Sequence, residues 1–390
     1  MERSLLRKID DKEIVELTRS LVKIPSVNPP GDEKEIAEFI ASWFDKRHFR
    51  ATITEAAPNR PNIEVRFPEG VSTSKERTLV FNGHMDVVPV GSGWSHDPFG
   101  GEIENGRVYG RGSGDMKGGL AALMIAMNAL KSIGEIHGRV IFQAVADEEG
   151  GGRLGTAHLV KSGLRADFGI VAEPTSMRIC IAHRGIVTFE IITYGKAAHA
   201  SAPLNGINAI LKMDKVIKAL AEYSNELNRS HCHPALGYPT LNVGVIQGGT
   251  RANIVPDRCW ISAERRLVPP ERAEAAIMQL RSLLGAISRE DSEFVYDFKV
   301  DHVREASEIH GGKEGLGCMM SSLHEFREYA SPEGFPAACD AGFLENSGIP
   351  TVIIGPGALS NAHTVDEYVE IDELQVAARV YTLAALKFLR

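Results

Sequence analysis

The chain has 390 residues, of which 43% are hydrophobic and 24% are charged. These proportions are typical of a globular protein with a large core, and the length suggests about two or three domains. The formal net charge of −8 argues against a nucleic-acid partner, because phosphate binding needs a basic face. Apolar runs of membrane-spanning length and a signal-peptide core are missing from the sequence, so we expect a cytoplasmic protein without a membrane partner.

Cysteine use excludes two further classes of protein. The five cysteines are widely spaced and form no Cys-x-x-Cys pair, so neither a disulfide framework nor a thiolate zinc site is expected. Cys339, which precedes Asp340 near a glycine-rich stretch, is the one thiol that we weigh as a nucleophile. The simpler interpretation of Cys339 is a reduced, unreactive thiol.

Apolar runs rich in β-branched residues alternate with helical patterns in the first half of the chain and near its carboxyl end. The predicted strands are Thr78–Asn82, Arg139–Ala146, Phe168–Ala172 and Thr351–Ile354. The predicted helices are Asp11–Lys23, Glu33–Lys46, Gly118–Lys131, Gly155–Ser162 and Asp372–Phe388. Continuous apolar strands between helices predict an α/β fold with a mixed, mainly parallel sheet covered on both faces. Val71–Arg77 is a predicted polar loop or hairpin tip.

The middle of the chain has a different pattern. Strands with alternating polarity are predicted at Ile186–Tyr194, Leu241–Gln247, Cys259–Arg266 and Phe294–Val300, with helices at Gly206–Tyr223 and Glu271–Leu284. The order β-α-β-β-α-β is that of a ferredoxin-like α+β domain. We therefore predict an inserted domain at 183–300 and a discontinuous outer domain formed by 1–182 and 301–390.

Acidic and imidazole side chains follow the predicted parallel strands. They are His84, Asp86, Glu148, Glu149, Glu173 and, farther from its strand, His363. The carboxyl ends of parallel strands share one edge of a sheet, where ligands bind in open α/β folds. Carboxylates collected there need a positive partner, and imidazole with carboxylate suits zinc and related metals. So many donors suit two metal ions that share a bridging carboxylate.

Each of these motifs is weak by itself. His84-Met85-Asp86 is also compatible with a polar strand end, although an extended segment would let Asp86 hold the second ring nitrogen of His84. The glycine-rich segment around Asp115 is compatible with a phosphate loop, but it lacks the GxGxxG context and the GKS/T of that motif. Glu148 and Glu149 are compatible with a solvated acidic turn, or with a general base beside a metal ligand.

The motifs occur together in one order, and that order identifies a family. They are NGHMDVVP, GRGSGDMKGG, DEEGGGRLGT, AEPTS, GKAAHAS, GGTRANIVPD, ERRLVP and GPGALSNAHTVDEY. From about Leu21 onward the chain resembles the M20 family of zinc-exopeptidase-like metallopeptidases and deacylases, in particular its acetylornithine deacetylase and succinyl-diaminopimelate desuccinylase members. This resemblance implies two divalent metal ions, zinc or alternatively cobalt, held by His84, Asp115, Glu149, Glu173 and His363.

The resemblance also implies roles for individual residues. Asp115 would bridge the two ions and precede a cis peptide bond, Asp86 would orient His84, and Glu148 would be the general base. The inserted domain would be a lid and dimerisation domain, whose His199 would reach across a homodimer to stabilise the oxyanion. Further implied substrate-binding residues are Asn253 and Arg266, with Arg184 as a weaker candidate that is as well explained as a surface arginine.

The expected function is hydrolysis of the amide bond in a small N-acyl amino acid. The enzymatic alternative is a dipeptidase or a glutamate-type carboxypeptidase, which would cleave a peptide with the same site residues. The alternative from another class is a non-catalytic dimeric binding protein that retains the fold.

Overall fold

The computed structural model describes residues 6, 8–70, 76–134, 136–328 and 331–390. Most of the predicted loop Val71–Arg77 lies outside this set, as do residues 1–5. The chain divides into two compact units. The first contains Met1–Ile181, Ile309–Phe335 and Cys339–Arg390, and the second contains Ala182–Glu308 and Pro336–Ala338. Within the described residues, no helix combines the length and apolarity that crossing a membrane requires.

Strands are numbered in chain order. They are β1 (Ala51–Ala57), β2 (Arg60–Phe67), β3 (Thr78–His84), β4 (Ile103–Glu104), β5 (Arg107–Tyr109), β6 (Arg139–Val145), β7 (Phe168–Val171), β8 (Cys180–His183), β9 (Gly185–Tyr194), β10 (Thr240–Gly248), β11 (Arg258–Leu267), β12 (Val295–Arg304), β13 (Ser307–Glu308), β14 (Glu333–Phe335), β15 (Thr351–Ile353) and β16 (Tyr368–Glu370).

Helices are numbered in the same way. They are α1 (Asp11–Val22), α2 (Lys34–Asp45), α3 (Gly118–Lys131), α4 (Thr156–Lys161), α5 (Ala209–Leu227), α6 (Ala273–Glu290), α7 (Lys313–Leu323), α8 (Ala341–Asn346) and α9 (Ile371–Phe388).

The first unit is built on a mixed sheet in which β1, β2, β6, β3, β7 and β15 are successive neighbours. β6, β3, β7 and β15 are parallel, and β1 and β2 extend the sheet in antiparallel fashion at one edge. The predicted fold class, a mainly parallel sheet between helices, is confirmed. The sequence analysis predicted neither β1, which is a largely exposed edge strand, nor its neighbour β2.

Helices cover both faces of this sheet. On one face the aromatic rings of β3 and β6 pack against helices: Phe81 lies 6.1 Å from Tyr381 of α9, and Phe142 lies 4.9 Å from Phe44 of α2. Because successive side chains of a strand point to opposite faces, Asn82 points the other way, where it donates a hydrogen bond to Thr156 of α4. Full burial of β3 and β6 explains why their sequences are continuous apolar runs.

The second unit contains a four-stranded antiparallel sheet in the order β10-β11-β9-β12. Alternate residues of β9 are buried, and they share a core with the apolar sides of α5 and α6. The element order β9-α5-β10-β11-α6-β12 is ferredoxin-like. This unit extends to Glu308, beyond the predicted boundary at 300, because β12 continues to Arg304.

Candidate metal site

The predicted metal ligands are collected at one edge of the first unit's sheet. His84 is the last residue of β3, and the other ligands lie in the segments that follow β6, β7 and β15 or precede α3. Because these strands are parallel neighbours, their carboxyl ends lie side by side. The structure therefore brings together His84, Asp115, Glu149, Glu173 and His363, whose role as ligands stays a prediction.

Asp115 lies between two histidines. Its Oδ1 is 3.1 Å from Nε2 of His84, and its Oδ2 is 3.4 Å from Nε2 of His363. The peptide bond between Asp115 and Met116 is cis, as the family resemblance implied. A carboxylate whose two oxygens face different imidazoles has the geometry needed to bridge two metal ions.

Glutamates complete the cluster on both sides of Asp115. Oε1 of Glu149 is 3.0 Å from Nε2 of His363, and Oε1 of Glu173 is 4.0 Å from Nε2 of His84. Glu148 also reaches the cluster, with a carboxylate oxygen within 4.8 Å of ligand atoms of His84 and Glu173. Glu148 is therefore near enough to act on a molecule bound there.

The electrostatics of the cluster fit a metal site. Oε1 of Glu173 is buried and has no hydrogen-bond partner in the described part of the chain. Burial, and then the charge of Asp115, raise the pKa of Glu173 well above its usual value. Hydrogen bonds to Asp115 and Glu149 raise the pKa of His363 to about 10. A buried carboxylate oxygen without a partner, beside imidazoles that hold protons, indicates a place where a cation is needed.

His84 contacts both the main chain and the side chain of Asp86, and the role of Asp86 in orienting His84 stays a prediction. The carboxylate Oδ1 of Asp86 is 3.7 Å from Nδ1 of His84, whereas the main-chain carbonyl of Asp86 is only 2.9 Å from that nitrogen. The difference arises because β3 ends at His84, so the extended geometry that would align the two side chains does not continue. The carboxylate instead accepts main-chain N–H bonds from Glu148 and Glu149, both at 3.1 Å.

A second buried carboxylate supports Asp115, and sequence reasoning missed it. Oε1 of Glu367 accepts N–H bonds from Gly114 at 3.0 Å and Asp115 at 3.1 Å. Its Oε2 accepts a 2.5 Å hydrogen bond from buried Arg111. Arg111 and Glu367 both lie inside quoted motifs, close to Asp115 and His363 in sequence, and this proximity is the signal that could have identified them.

The remaining predicted residues belong to the second unit. His199 is exposed, and its Nδ1 is 2.7 Å from the hydroxyl of Ser201. The main chain brings Asn253 beside it, because the N–H of Ala200 donates to the carbonyl of Asn253 and His199 is bridged to Ile254. His199 and Asn253 are therefore close together within this unit, and their contribution to catalysis stays a prediction.

The two arginines of the second unit already have partners. Nε of Arg266 is 2.6 Å from a carboxylate oxygen of Glu264. The guanidinium of Arg184 donates to the carbonyls of Leu236 and Tyr238. These contacts tie Arg184 to a loop of its own unit, which favours the structural interpretation over substrate binding.

The cysteines take no part in the candidate chemistry. All five lie in the described part of the chain and are free, as expected. Cys339 is buried, and burial, followed by the charge of Glu173, raises the pKa of its thiol well above the usual value. Because the thiolate is the nucleophilic form, these surroundings argue against Cys339 as a nucleophile.

The protonated histidines predict that metal affinity rises with pH. At neutral pH His363 lies below its raised pKa of about 10 and holds a proton, which a metal ion must displace. Each displaced proton should change the apparent affinity about tenfold per pH unit. Calorimetric zinc titrations between about pH 6 and about pH 8, in buffers of different ionisation enthalpy, measure this release. A pH-independent affinity without proton release would contradict the assignment of His363.

Comparison with known proteins identifies the family. The model of Peptidase family M20/M25/M40 matches residues 80–387. N-formyl-4-amino-5-aminomethyl-2-methylpyrimidine deformylase of Bacillus subtilis (strain 168) is 30% identical, over 95% of this chain and 94% of that protein. Acetylornithine deacetylase of Vibrio campbellii (strain ATCC BAA-1116) is 29% identical, over 96% and 98%. Aminopeptidase PepT from Bacillus cereus ATCC 10987 has the same fold, with a TM-score of 0.80 at 24% identity over 98% of this chain and 99% of PepT. The chain belongs to Peptidase family M20/M25/M40 and is a hydrolase of amide bonds.

Proposed function

We propose that this protein removes a small acyl group from an N-acyl amino acid, using two divalent metal ions, zinc or alternatively cobalt. The observation that carries the proposal is the position of Asp115, with one carboxylate oxygen toward His84 and the other toward His363. His84 and Glu173 would hold one ion, His363 and Glu149 the other, and Asp115 both. Bound metals of this kind polarise an amide carbonyl and lower the pKa of water.

Glu148 is the proposed general base. Its carboxylate lies at the cluster, and its main-chain N–H is held by Asp86 at 3.1 Å. A carboxylate in this position can accept the proton of the attacking water and pass it to the nitrogen that leaves. His199 of a second copy would donate a hydrogen bond to the developing oxyanion, with Asn253 beside it.

The names of the relatives favour acyl removal from an amine. One relative is named for removing a formyl group and the other for removing an acetyl group, and each aligns with nearly the whole chain. A compact acyl group is the shared feature of these two reactions, whereas the amine differs. We therefore place a formyl or acetyl group first among candidate substrates.

A substrate panel tests the reaction class. Zinc- and cobalt-loaded protein is assayed for release of free amine from N-formyl, N-acetyl and N-succinyl amino acids, from an N-formyl aminomethylpyrimidine and from dipeptides. We expect turnover of the N-formyl or N-acetyl compounds, and loss of turnover after chelation, because the metals activate carbonyl and water. Turnover of dipeptides alone would support the peptidase alternative. No turnover of any of these compounds by fully loaded protein would reject the proposed substrate class.

Two neighbouring glutamates should separate proton transfer from metal binding. Glu148→Gln should lower kcat by about 10²- to 10⁴-fold and leave the bound metal unchanged, because it removes only the base. Glu149→Gln is the matched control. It should lose metal, because Glu149 is a proposed ligand beside His363. Metal content by mass spectrometry and kcat on the best panel substrate measure both effects. Glu148→Gln protein with normal turnover would remove Glu148 from the mechanism.

We further propose that a second copy of the chain binds at β10. This strand is at the edge of the second unit's sheet and is exposed along most of its length. Val245 and Ile246 of β10 are exposed, as are Ile210, Leu211 and Ile254 of neighbouring segments. An edge strand with exposed apolar side chains is suited to pairing with an identical strand.

The dimer proposal predicts that one lysine introduced on β10 prevents dimer formation. Ile246→Lys should convert a dimer into a 42.4 kDa monomer, because a lysine on an edge strand opposes pairing. Val295→Lys, on the opposite edge strand β12, is the control, since its exposure of 58% is close to the 54% of Ile246. Light scattering measures the mass, and kcat should fall only with Ile246→Lys. A monomer with full activity would contradict the proposed role of His199.

A further inference from the structure

A group of buried charges lies behind the turn that carries Glu148 and Glu149. Glu33 and Asp86 are fully buried, and Asp147 and Arg60 are nearly so. Nε of Arg60 is 2.7 Å from Oε2 of Glu33, and its Nη2 is 3.1 Å from Oδ1 of Asp147. Neither Glu33 nor Arg60 was identified by any sequence motif. The guanidinium of Arg60 therefore links β2 to the residue that immediately precedes Glu148.

Asp147 organises this turn. Its Oδ2 accepts the N–H of Leu154 at 3.1 Å, and its carbonyl accepts N–H bonds from Gly150 at 3.2 Å and Gly152 at 2.5 Å. Its own backbone is left-handed, with a φ of 70°, so Glu148 leaves β6 in a new direction. Asp147 thus holds both the start and the end of the segment that presents the two glutamates.

The negative charges in this region need Arg60. Burial, and then the charge of Asp86, raise the pKa of Glu33 to about 7 even with the guanidinium present. Buried carboxylates that interact in this way repel one another unless a cation lies among them. The chain also leaves space for this cation: Gly31 has a φ of 85°, and a Cβ atom there would collide with the guanidinium.

We propose that Arg60 is a positioning residue for the reaction, which fixes Glu148 and Glu149 through Asp147. The proposal rests on the proposed function for the roles of those two glutamates. Arg60 does not touch the cluster, so its effect passes through the turn. The planar shape of its guanidinium matters as well as its charge, because Nη2 donates a hydrogen bond to Asp147 while Nε forms an ion pair with Glu33.

The test uses Arg60→Gln and Arg60→Lys, with Arg66→Gln as the matched control on the same strand. Arg66 is about half exposed and pairs with Glu64 near the surface. Loss of a residue that supports a ligand typically costs about 10- to 100-fold in metal affinity or activity. We expect this loss in cobalt affinity and in kcat for Arg60→Gln, a smaller change in KM, partial recovery with Arg60→Lys, and no change with Arg66→Gln.

A double-variant comparison separates positioning from general stability. Asp147→Asn should give a similar loss, and Arg60→Gln combined with Asp147→Asn should be no worse than the poorer single variant, because both act through one contact. Additive losses, or equal behaviour of the Arg60→Gln and Arg66→Gln proteins, would overturn the proposal. Cobalt titration needs no substrate, so it tests Arg60 even if every panel compound fails. If Arg60→Gln does not fold, Arg60→Lys and Asp147→Asn provide the same comparison.

Discussion

The carboxylate of Asp115, placed between His84 and His363, is the contact on which the rest of the site depends. This contact forms only if three segments meet at one point: the turn before α3, the end of β3 and the loop after β15. It also concentrates negative charge, because Glu149 and Glu173 lie beside it in a largely buried region. Such charge is stable only when protons or cations accompany it. Two metal ions held by these residues would supply that positive charge.

Further carboxylates fix the main chain around the cluster. Asp86 accepts the N–H groups of Glu148 and Glu149, and Glu367 accepts those of Gly114 and Asp115. Both carboxylates are fully buried, and each has another donor, Asn28 for Asp86 and Arg111 for Glu367. A bond to successive N–H groups fixes the direction of the peptide rather than one rotamer. The reactive side chains thus project from a backbone that is held before any ligand binds.

Much of the fold could be predicted because the burial of a strand determines the pattern of apolar residues along its sequence. The continuous apolar runs of β3 and β6 and the alternation in β9 correspond to strands covered on two faces and on one. The meeting of His84, Glu149, Glu173 and His363 followed from their places after parallel strands, whereas Asp115 was identified by the family resemblance. The atom of Asp86 nearest to His84 could not be predicted from the sequence. Whether the carboxylate or the main-chain carbonyl of Asp86 faces the imidazole depends on where β3 ends. Arg60 was missed because burial of a charged residue is a property of tertiary packing, which one sequence does not display.

The cluster at the sheet edge explains hydrolysis but not the choice of amine. In the proposed function, the metal ligands and Glu148 would act on the carbonyl, the water and the leaving nitrogen, which a formyl and an acetyl compound share. Selectivity must therefore come from side chains that contact the rest of the substrate, and Arg266 is one candidate. Arg266 already pairs with Glu264 at 2.6 Å, so a substrate carboxylate would have to replace that partner. An acylated amine without a carboxylate would leave the pair intact. If Arg266 binds substrate, as the family resemblance implies, the selection between these substrate classes would depend on whether Arg266 exchanges Glu264 for a substrate carboxylate, a balance between two similar ion pairs.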